Sequence, residues 1–241
     1  MKTIIFDVDD TLYDQIIPFE KAVKDHFPDF FKNDSINDLY KINRKLSDEV
    51  FHLTENGKMG LEEMRIYRIT NALKYFGISI DRIKAKEFQE SYQMYQSKIE
   101  LLPDVIDTLD FCQQNNIPLG IITNGPKKHQ RKKIKQLQLS KWIPEKSIII
   151  SSEVGYAKPD KKIFEFAEKK LSLIKEKTIY VGDSFSNDIV GAKSVGWQTI
   201  WINRRNREQL DNRIESDFYV DNNNSLFSIV KSLHEKYKTT F

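Results

Sequence analysis

Short apolar segments recur along the chain, and most are continuous runs rather than alternations of apolar and polar residues. Continuous runs are typical of strands buried on both faces of a parallel sheet. Amphipathic stretches with helical spacing separate them, which predicts an α/β fold with a Rossmann-like, doubly wound parallel sheet. The predicted strands are 3–6, 117–123, 147–151, 178–182, 198–202 and 217–220, and the predicted helices are 104–116, 126–139, 160–172 and 188–195.

Residues 15–99 interrupt this alternation, because no segment in them has the pattern of a strand. Gly57 and Gly77 are predicted to end two helices there, since glycine readily adopts the left-handed conformation that follows a helix. The chain is therefore predicted to consist of an α/β core, 1–14 and 100–241, with an all-helical domain inserted between its first and second strands. The four helices predicted in the insertion lie near 18–31, 35–56, 60–76 and 81–99.

The composition indicates a globular protein. Of its 241 residues, 39% are hydrophobic and 30% charged, and the formal net charge of +3 does not indicate a nucleic-acid partner. Cys112 is the single cysteine, so no internal disulfide forms, and its helical spacing from Val105 and Leu109 predicts a buried thiol. We expect a cytoplasmic protein, because no signal peptide is recognisable and no apolar run approaches the roughly 18 residues of a membrane span.

Residues suited to chemistry follow several of the predicted strands. In open α/β sheets, ligands bind beyond the carboxyl ends of the strands, so these residues are expected to meet at one edge. Carboxylates, a hydroxyl and a lysine suit a hard cation and a phosphate, and the absence of histidine and cysteine from the set argues against zinc. The set comprises Asp7, Asp9 and Asp10 after the first strand, Thr123 and Asn124 after the second, Lys158 after the third, and Asp183 and Asp188 after the fourth.

Four segments of the sequence resemble, in order, the motifs of the haloacid dehalogenase-like superfamily. They are DVDDT (7–11), IITNG (121–125), the lysine of AKPD (157–160) and GDSFSND (182–188). The helical insertion is similar to the cap of that superfamily's helical-cap phosphatases. The resemblance implies a Mg²⁺-dependent hydrolase of phosphomonoesters that forms an aspartyl-phosphate.

The resemblance also implies roles for residues around the reacting phosphoryl group. Asp7 would be the nucleophile, and Asp9 would protonate the leaving oxygen and then accept a proton from water. Crowding by neighbouring acids predicts a raised pKa for Asp9. Lys158 would bind the phosphate and balance its charge and that of Asp7, while the Thr123 hydroxyl and the backbone at Asn124 would bind phosphoryl oxygens.

The same resemblance implies the ligands of a magnesium ion. They would be the carboxylate of Asp7, the backbone carbonyl of Asp9 and the carboxylate of Asp183. Asp188 would be a further ligand or a partner of the ligands.

The basic segment 127–135 follows the predicted phosphate-binding turn. It contains no interleaved aromatic residues, so it does not indicate a nucleic-acid site. Ile134 and Leu137 give its helix an inward side, and the rest is predicted to be a solvated face that could steer anionic substrates.

Other functions remain open at this point. A phosphomutase, a phosphonatase or a dehalogenase would use related chemistry, although a dehalogenase does not need an acid/base residue at Asp9. A phospho-accepting signalling module would be about half this length and would lack the insertion. We expect a monomer or homodimer acting on a small phosphorylated metabolite, with no nucleic-acid or membrane partner. A nucleoside monophosphate is favoured over a sugar phosphate or phosphoglycolate.

Within the insertion, two sets of residues have alternative interpretations. Arg65 and Arg68 either face a substrate or form a solvated or paired surface. Phe88, Tyr92 and Tyr95 are predicted to pack in the core of the insertion rather than to stack on a base.

Overall fold

The computed structural model describes residues 3–29, 33–207, 209 and 213–238. The chain forms two compact units. The α/β unit comprises Met1–Asp14 and Glu100–Phe241, and the helical unit comprises Gln15–Ile99.

A six-stranded, fully parallel sheet forms the centre of the α/β unit, which confirms the predicted fold class. The strands lie in the order β3-β2-β1-β4-β5-β6, so the chain moves outward from β1 first to one side and then to the other. This reversal places β1 at the centre, where ligands bind in doubly wound sheets. The strands are β1 (Thr3–Phe6), β2 (Leu119–Thr123), β3 (Ile148–Ile150), β4 (Thr178–Gly182), β5 (Gln198–Ile202) and β6 (Phe218–Val220).

Apolar side chains from the sheet and the following helices form the core of this unit. Ile5, Ile122 and Tyr180 are fully buried with Phe164 and Trp197 in one cluster. Burying a side chain of this size contributes about 1.5–3 kcal/mol, which explains why the continuous apolar runs identified the strands.

The helical unit consists, among the described residues, of helices that pack around an aromatic core. Phe88 and Tyr92 are buried there, and Tyr95 is partly buried against them, which confirms their predicted packing role. Gly57 and Gly77 have φ angles of +73° and +72° and follow two of the helices, as predicted. These helices are α1 (Ile16–His26), α2 (Asn33–Glu55), α3 (Leu61–Lys74) and α4 (Arg82–Gln96).

The first helix of this unit is shorter than predicted. It ends at His26 instead of near 31, because Pro28 lacks an N–H group and disfavours helical backbone at Phe27. The last predicted residues of that helix, 30 and 31, lie outside the described residues.

The helices of the α/β unit flank its sheet. They are α5 (Pro103–Gln114), α6 (Lys127–Gln136), α7 (Ser151–Val154), α8 (Lys161–Leu171), α9 (Val190–Ser194) and α10 (Leu226–Lys238). A π-helical turn, Phe185–Ile189, precedes α9. Cys112 of α5 is fully buried, as predicted. No helix in the described part of the chain has the length and apolar character needed to span a membrane.

Candidate active site

Asp7 lies directly after the central strand β1 and is buried. Its backbone N–H donates a hydrogen bond to Val181 O at 2.9 Å, which continues the ladder between β1 and β4. Lys158 Nζ lies 2.7 Å from Asp7 Oδ1. Burial raises the pKa of Asp7 to about 7, because the charge of Lys158 only partly offsets the desolvation and nearby carboxylates add to it.

Lys158 is fixed by contacts on both its side chain and its backbone. Its ammonium group lies 2.6 Å from Asp188 Oδ1 and 2.9 Å from the hydroxyl of Tyr180, which itself donates to Ile122 O at 2.8 Å. Asn124 holds the backbone: its amide nitrogen donates to Lys158 O, and Lys158 N donates to Asn124 Oδ1, both at 2.8 Å. The ammonium group therefore has a fixed position between two carboxylates.

Asp188 takes its position from the turn after β4. Ser184 N donates to Asp188 Oδ2 at 2.9 Å. The same oxygen occupies the space that a side chain at position 182 would fill, because a Cβ on Gly182 would lie 2.3 Å from it. A glycine at the end of β4 is thus a condition for this carboxylate to point into the site.

Asp7, Asp183 and Asp188 form a carboxylate cluster, with one oxygen of each lying within 4.8 Å of the others. Burial raises the pKa of Asp183 to about 8, and the negative charges of neighbouring acids add to this rise. The positive charge of Arg207 lowers the pKa but does not offset these effects. Three carboxylates at this spacing are mutually unfavourable unless a cation binds among them. An all-oxygen donor set suits Mg²⁺.

Thr123 ends β2 at the same edge of the sheet. Ile121 pairs with Phe6, so Thr123 lies beside the residues that follow β1. Its side chain is buried, and its hydroxyl has no hydrogen-bond partner among the described residues. Because an unsatisfied buried hydroxyl costs free energy, this group is available to a ligand oxygen.

Asp9 is held by α6 and by a neighbouring tyrosine. Lys133 Nζ lies 2.6 and 2.7 Å from its two carboxylate oxygens, and Gln130 Nε2 donates to Oδ2 at 2.9 Å. The hydroxyl of Tyr13 also donates to this carboxylate. Gly125, with a φ of +132°, allows the close approach of Gln130, whose Nε2 would lie 3.0 Å from a Cβ there.

The predicted rise in the pKa of Asp9 is wrong. Burial acts in the predicted direction, but the charge of Lys133 and the hydrogen bonds to the carboxylate outweigh it and hold the pKa below its usual range. The prediction considered only the neighbouring acids. It also treated 127–135 as solvated outside Ile134 and Leu137, whereas Gln130 and Lys133 are buried.

Two arginines after β5 also reach the acidic residues. Arg205 pairs with Asp10 at 2.9 Å and with Asp14, while Arg207 pairs with Asp183 at 2.5 Å and with Asp10 at 3.2 Å. The guanidinium groups balance negative charge around Asp183. They line a cavity of about 190 Å³ together with Asp10, Asp14, Leu102, Asp183, Ile202, Asn203, Arg204 and Asn222.

Sequence reasoning missed several of these groups. The basic run 203–207 directly follows a predicted strand, so its position could have indicated Arg205 and Arg207. Gln130 and Lys133 lie three residues apart on one helical face, which was a weaker signal. Tyr180 lies within an apolar run, and no local signal separates it from a packing residue.

The sequence profile of one family matches residues 1–196, and its description is haloacid dehalogenase-like hydrolase. The chain belongs to this family. Among curated relatives, it is 28% identical to a glyceraldehyde 3-phosphate phosphatase of Methanopyrus kandleri, with 97% of this chain and 98% of the relative covered. It is 27% identical to the pyrimidine 5'-nucleotidase YjjG of Escherichia coli, with 86% and 88% covered.

The structures of haloacid dehalogenase-like hydrolases resemble this one. The HAD-hydrolase YfnB of Bacillus subtilis, crystallised with bound magnesium, aligns with a TM-score of 0.71 and 24% identity over 97% of this chain and 98% of that one. This likeness shows the shared fold. Several relatives of this chain are named as phosphatases and one as a nucleotidase, so the chain is an enzyme of the phosphatase type within this hydrolase family.

Proposed function

We propose that this protein is a Mg²⁺-dependent hydrolase of small phosphomonoesters that forms an aspartyl-phosphate on Asp7. The α/β unit is its catalytic core, and the helical unit is its cap. The observation that carries the proposal is the buried Asp7 carboxylate, 2.7 Å from Lys158 and within the cluster formed with Asp183 and Asp188. The phosphatase names of its relatives support the reaction class.

In the first step, an Asp7 carboxylate oxygen attacks phosphorus and the bond to the leaving oxygen breaks. Lys158 places a fixed positive charge beside the reacting groups, and the Thr123 hydroxyl donates to a phosphoryl oxygen. Phosphoryl transfer needs little more than positioning and charge stabilisation, which a fixed lysine and hydroxyl supply.

Asp9 is the general acid in the first step and the general base in the second. Its ionised form, favoured by Lys133, is the one that accepts a proton when water attacks the aspartyl-phosphate. Its protonated form is needed to give a proton to the leaving oxygen. A phosphate dianion bound close to Asp9 raises the pKa of Asp9 and so favours this protonation.

Asp7, Asp183 and Asp188 fit a magnesium ion because their oxygens converge, and the backbone carbonyl of Asp9 would complete the set on the protein side. When bound, Mg²⁺ would neutralise negative charge on the phosphoryl group. Asp188 also pairs with Lys158, so it would link the cation site to the lysine.

A dehalogenase is the second candidate from the same family, and several solved structures with this fold carry that name. Dehalogenation does not need the acid/base residue. Here Lys133, Gln130 and Tyr13 contact the Asp9 carboxylate and fix its orientation. A fixed orientation of the acid/base residue favours phosphoryl transfer over dehalogenation.

The test is release of inorganic phosphate from a panel of phosphomonoesters, with Mg²⁺ and with EDTA. The panel contains nucleoside monophosphates, glyceraldehyde 3-phosphate, sugar phosphates, phosphoglycolate and p-nitrophenyl phosphate. We expect Mg²⁺-dependent turnover that is lost in Asp7→Asn, together with a phosphorylated Asp7 peptide in acid-quenched wild type. Turnover that survives in EDTA or in Asp7→Asn contradicts the proposal.

A further inference from the structure

Arg207 contacts Asp183, a member of the carboxylate cluster, from the segment that follows β5. Its Nη1 atom lies 2.5 Å from Asp183 Oδ2. The backbone carbonyl of Asp183 is held from the same side, since it accepts a hydrogen bond of 2.9 Å from the indole N–H of Trp201 on β5. Trp201 is buried and packs against Phe185, with ring centroids 4.9 Å apart. The position of Asp183 therefore depends on β5 and the residues after it, as well as on β4.

The same guanidinium group reaches a second carboxylate. Arg207 Nη2 lies 3.2 Å from Asp10 Oδ2, and the Asp10 side chain is only 7% exposed. Asp10 belongs to the segment after β1 that contains Asp7 and Asp9, whereas Asp183 directly follows β4. The planar fork of an arginine holds carboxylates at fixed angles, whereas a lysine ammonium group is a flexible point charge. Arg207 therefore joins the two segments that supply the proposed ligands of the cation.

The backbone of Arg207 is fixed by Asn203, which directly follows β5. Arg207 N donates to Asn203 Oδ1 at 2.8 Å, and Asn203 Nδ2 donates to Arg207 O at 2.9 Å. Asn203 is buried, and its own backbone N–H donates to Val220 O of β6 at 2.7 Å. The guanidinium group thus extends from a backbone that is tied to the sheet.

This arrangement repeats the one that fixes Lys158. Asn124 directly follows β2 and binds the backbone N–H and C=O of Lys158, as Asn203 does after β5 for Arg207. In each case an asparagine at a strand end places a cationic side chain against the carboxylate cluster. Lys158 contacts two carboxylates of the cluster and Arg207 contacts the third. The repeated arrangement indicates that Arg207 is a built part of the site.

We propose that Arg207 is a positioning residue for the cation of the carboxylate cluster: it fixes the Asp183 carboxylate and fastens it to Asp10. This inference rests on the proposed function, which assigns Mg²⁺ to the cluster. A carboxylate that binds a metal is usually hydrogen-bonded in turn by a neighbouring group, and loss of that neighbour weakens metal binding. A carboxylate has two oxygens with about four acceptor sites, so Asp183 can bind the guanidinium group and a cation together. We therefore expect the contact between Arg207 and Asp183 to persist when Mg²⁺ is bound.

The role of Arg207 is tested by calorimetric titration of Mg²⁺ into wild type and Arg207→Lys, a variant that keeps the positive charge but lacks the fork. We expect the Mg²⁺ dissociation constant to rise about 10- to 100-fold in Arg207→Lys. Arg204→Lys is the matched control, because Arg204 lies three residues away and pairs with Asp104 at 3.0 Å instead of with the cluster. It should keep the wild-type affinity. A dissociation constant in Arg207→Lys that is equal to or below the wild-type value overturns the proposal.

A second measurement uses the wild-type protein and needs no variant. The ¹H–¹⁵N signals of the Arg207 side chain are assigned through their correlation with its backbone and recorded without and with saturating Mg²⁺. Charge-assisted hydrogen bonds to carboxylates slow the rotation of a guanidinium group, so its two Nη groups give separate signals. We expect separate signals in both states. Signals that merge when Mg²⁺ is added would show that the cation displaces Arg207 from Asp183, and signals merged in both states would show that no ion pair forms. Either result overturns the proposal.

The two proposals fail in different ways. A wild-type protein that binds no Mg²⁺ contradicts the proposed function and the role of Arg207 together. Mg²⁺-dependent phosphate release, with equal Mg²⁺ affinity in wild type and Arg207→Lys, contradicts the role of Arg207 alone.

Discussion

The Nζ atom of Lys133 lies 2.6 and 2.7 Å from the two carboxylate oxygens of Asp9. In Lys133→Met this charge is absent, so the pKa of Asp9 should rise, since burial alone raises it. A smaller fraction of Asp9 is then ionised in weakly acidic solution. We expect kcat to fall about 10- to 100-fold at neutral pH and the acidic limb of the pH–rate profile to move to higher pH.

Lys132→Met is the matched control for this variant, because Lys132 is the exposed neighbour of Lys133 on the same helix. It should keep the wild-type kcat and pH profile. An unchanged acidic limb in Lys133→Met, with turnover intact, would show that Lys133 does not control the ionisation of Asp9.

Magnesium affinity should depend on pH with a defined sign. Burial raises the pKa of Asp7 to about 7 and that of Asp183 to about 8 in the metal-free protein, so both carboxyls are protonated in part near neutrality. Metal binding must displace these protons. We expect the Mg²⁺ dissociation constant to decrease as the pH rises from 6 to 8.5, by up to about tenfold per pH unit for each proton released. Isothermal titration in two buffers of different ionisation enthalpy would count the protons.

The same shifts predict the stability of the metal-free protein. The pKa of each of these carboxyls is higher in the folded state than in the unfolded state, where it is near 4. Such a carboxyl stabilises the fold when the pH is below the unfolded-state pKa, and this stabilisation is lost as the pH rises toward 7–8. The increase in melting temperature caused by Mg²⁺ should therefore be larger at pH 8 than at pH 6. An increase that is the same at both pH values would argue against raised pKa values for these carboxyls.

Tyr180→Phe tests the support of Lys158. The variant removes the hydroxyl that lies 2.9 Å from Lys158 Nζ and donates to Ile122 O. We expect kcat to fall about tenfold and the free energy of unfolding to fall by about 1–2 kcal/mol, because buried polar groups lose a partner. Tyr75→Phe, at an exposed position, should change neither quantity. Steady-state kinetics and urea unfolding provide both measurements, and wild-type kcat in Tyr180→Phe would show that this hydroxyl does not position the lysine.

Gly182→Ala tests the geometry of Asp188. The added Cβ would lie 2.3 Å from Asp188 Oδ2, so either the carboxylate or the strand must move. We expect weaker Mg²⁺ binding and a loss of about 1–3 kcal/mol in the free energy of unfolding. Gly60→Ala is the control, since a Cβ there has no neighbour within 4 Å. Unchanged Mg²⁺ affinity in Gly182→Ala would exclude Asp188 as a direct or supporting ligand.

The sheet and much of the candidate site could be predicted because their signals are local. The strand 178–182 was predicted with its exact bounds, since a buried parallel strand is a continuous apolar run. The convergence of Asp7 with Asp183 then follows from parallel strands ending at one edge, without knowledge of any side-chain contact.

The rest depends on contacts between distant parts of the chain. Lys133 is 124 residues from Asp9 in the sequence. It is one of several lysines on a basic helix, and nothing in the sequence distinguishes it as the buried one. The pKa of Asp9 was therefore predicted with the wrong sign, because its dominant partner was not among its sequence neighbours. Arg68 shows the same limit, since helical spacing does not reveal that its side chain is buried and contacts Ser47 and Gln89 on two other helices.

The buried thiol of Cys112 on α5 can be used to measure how often the structure around it opens. Cys112 is the single cysteine, and burial raises the pKa of its thiol to about 12, so almost none of it is the reactive thiolate while the fold is closed. Reaction with an alkylating reagent must therefore pass through molecules in which the structure around α5 has opened and exposed the thiol. The labelling rate measures how often that happens, and its decrease on adding a ligand reports binding without any assay of turnover.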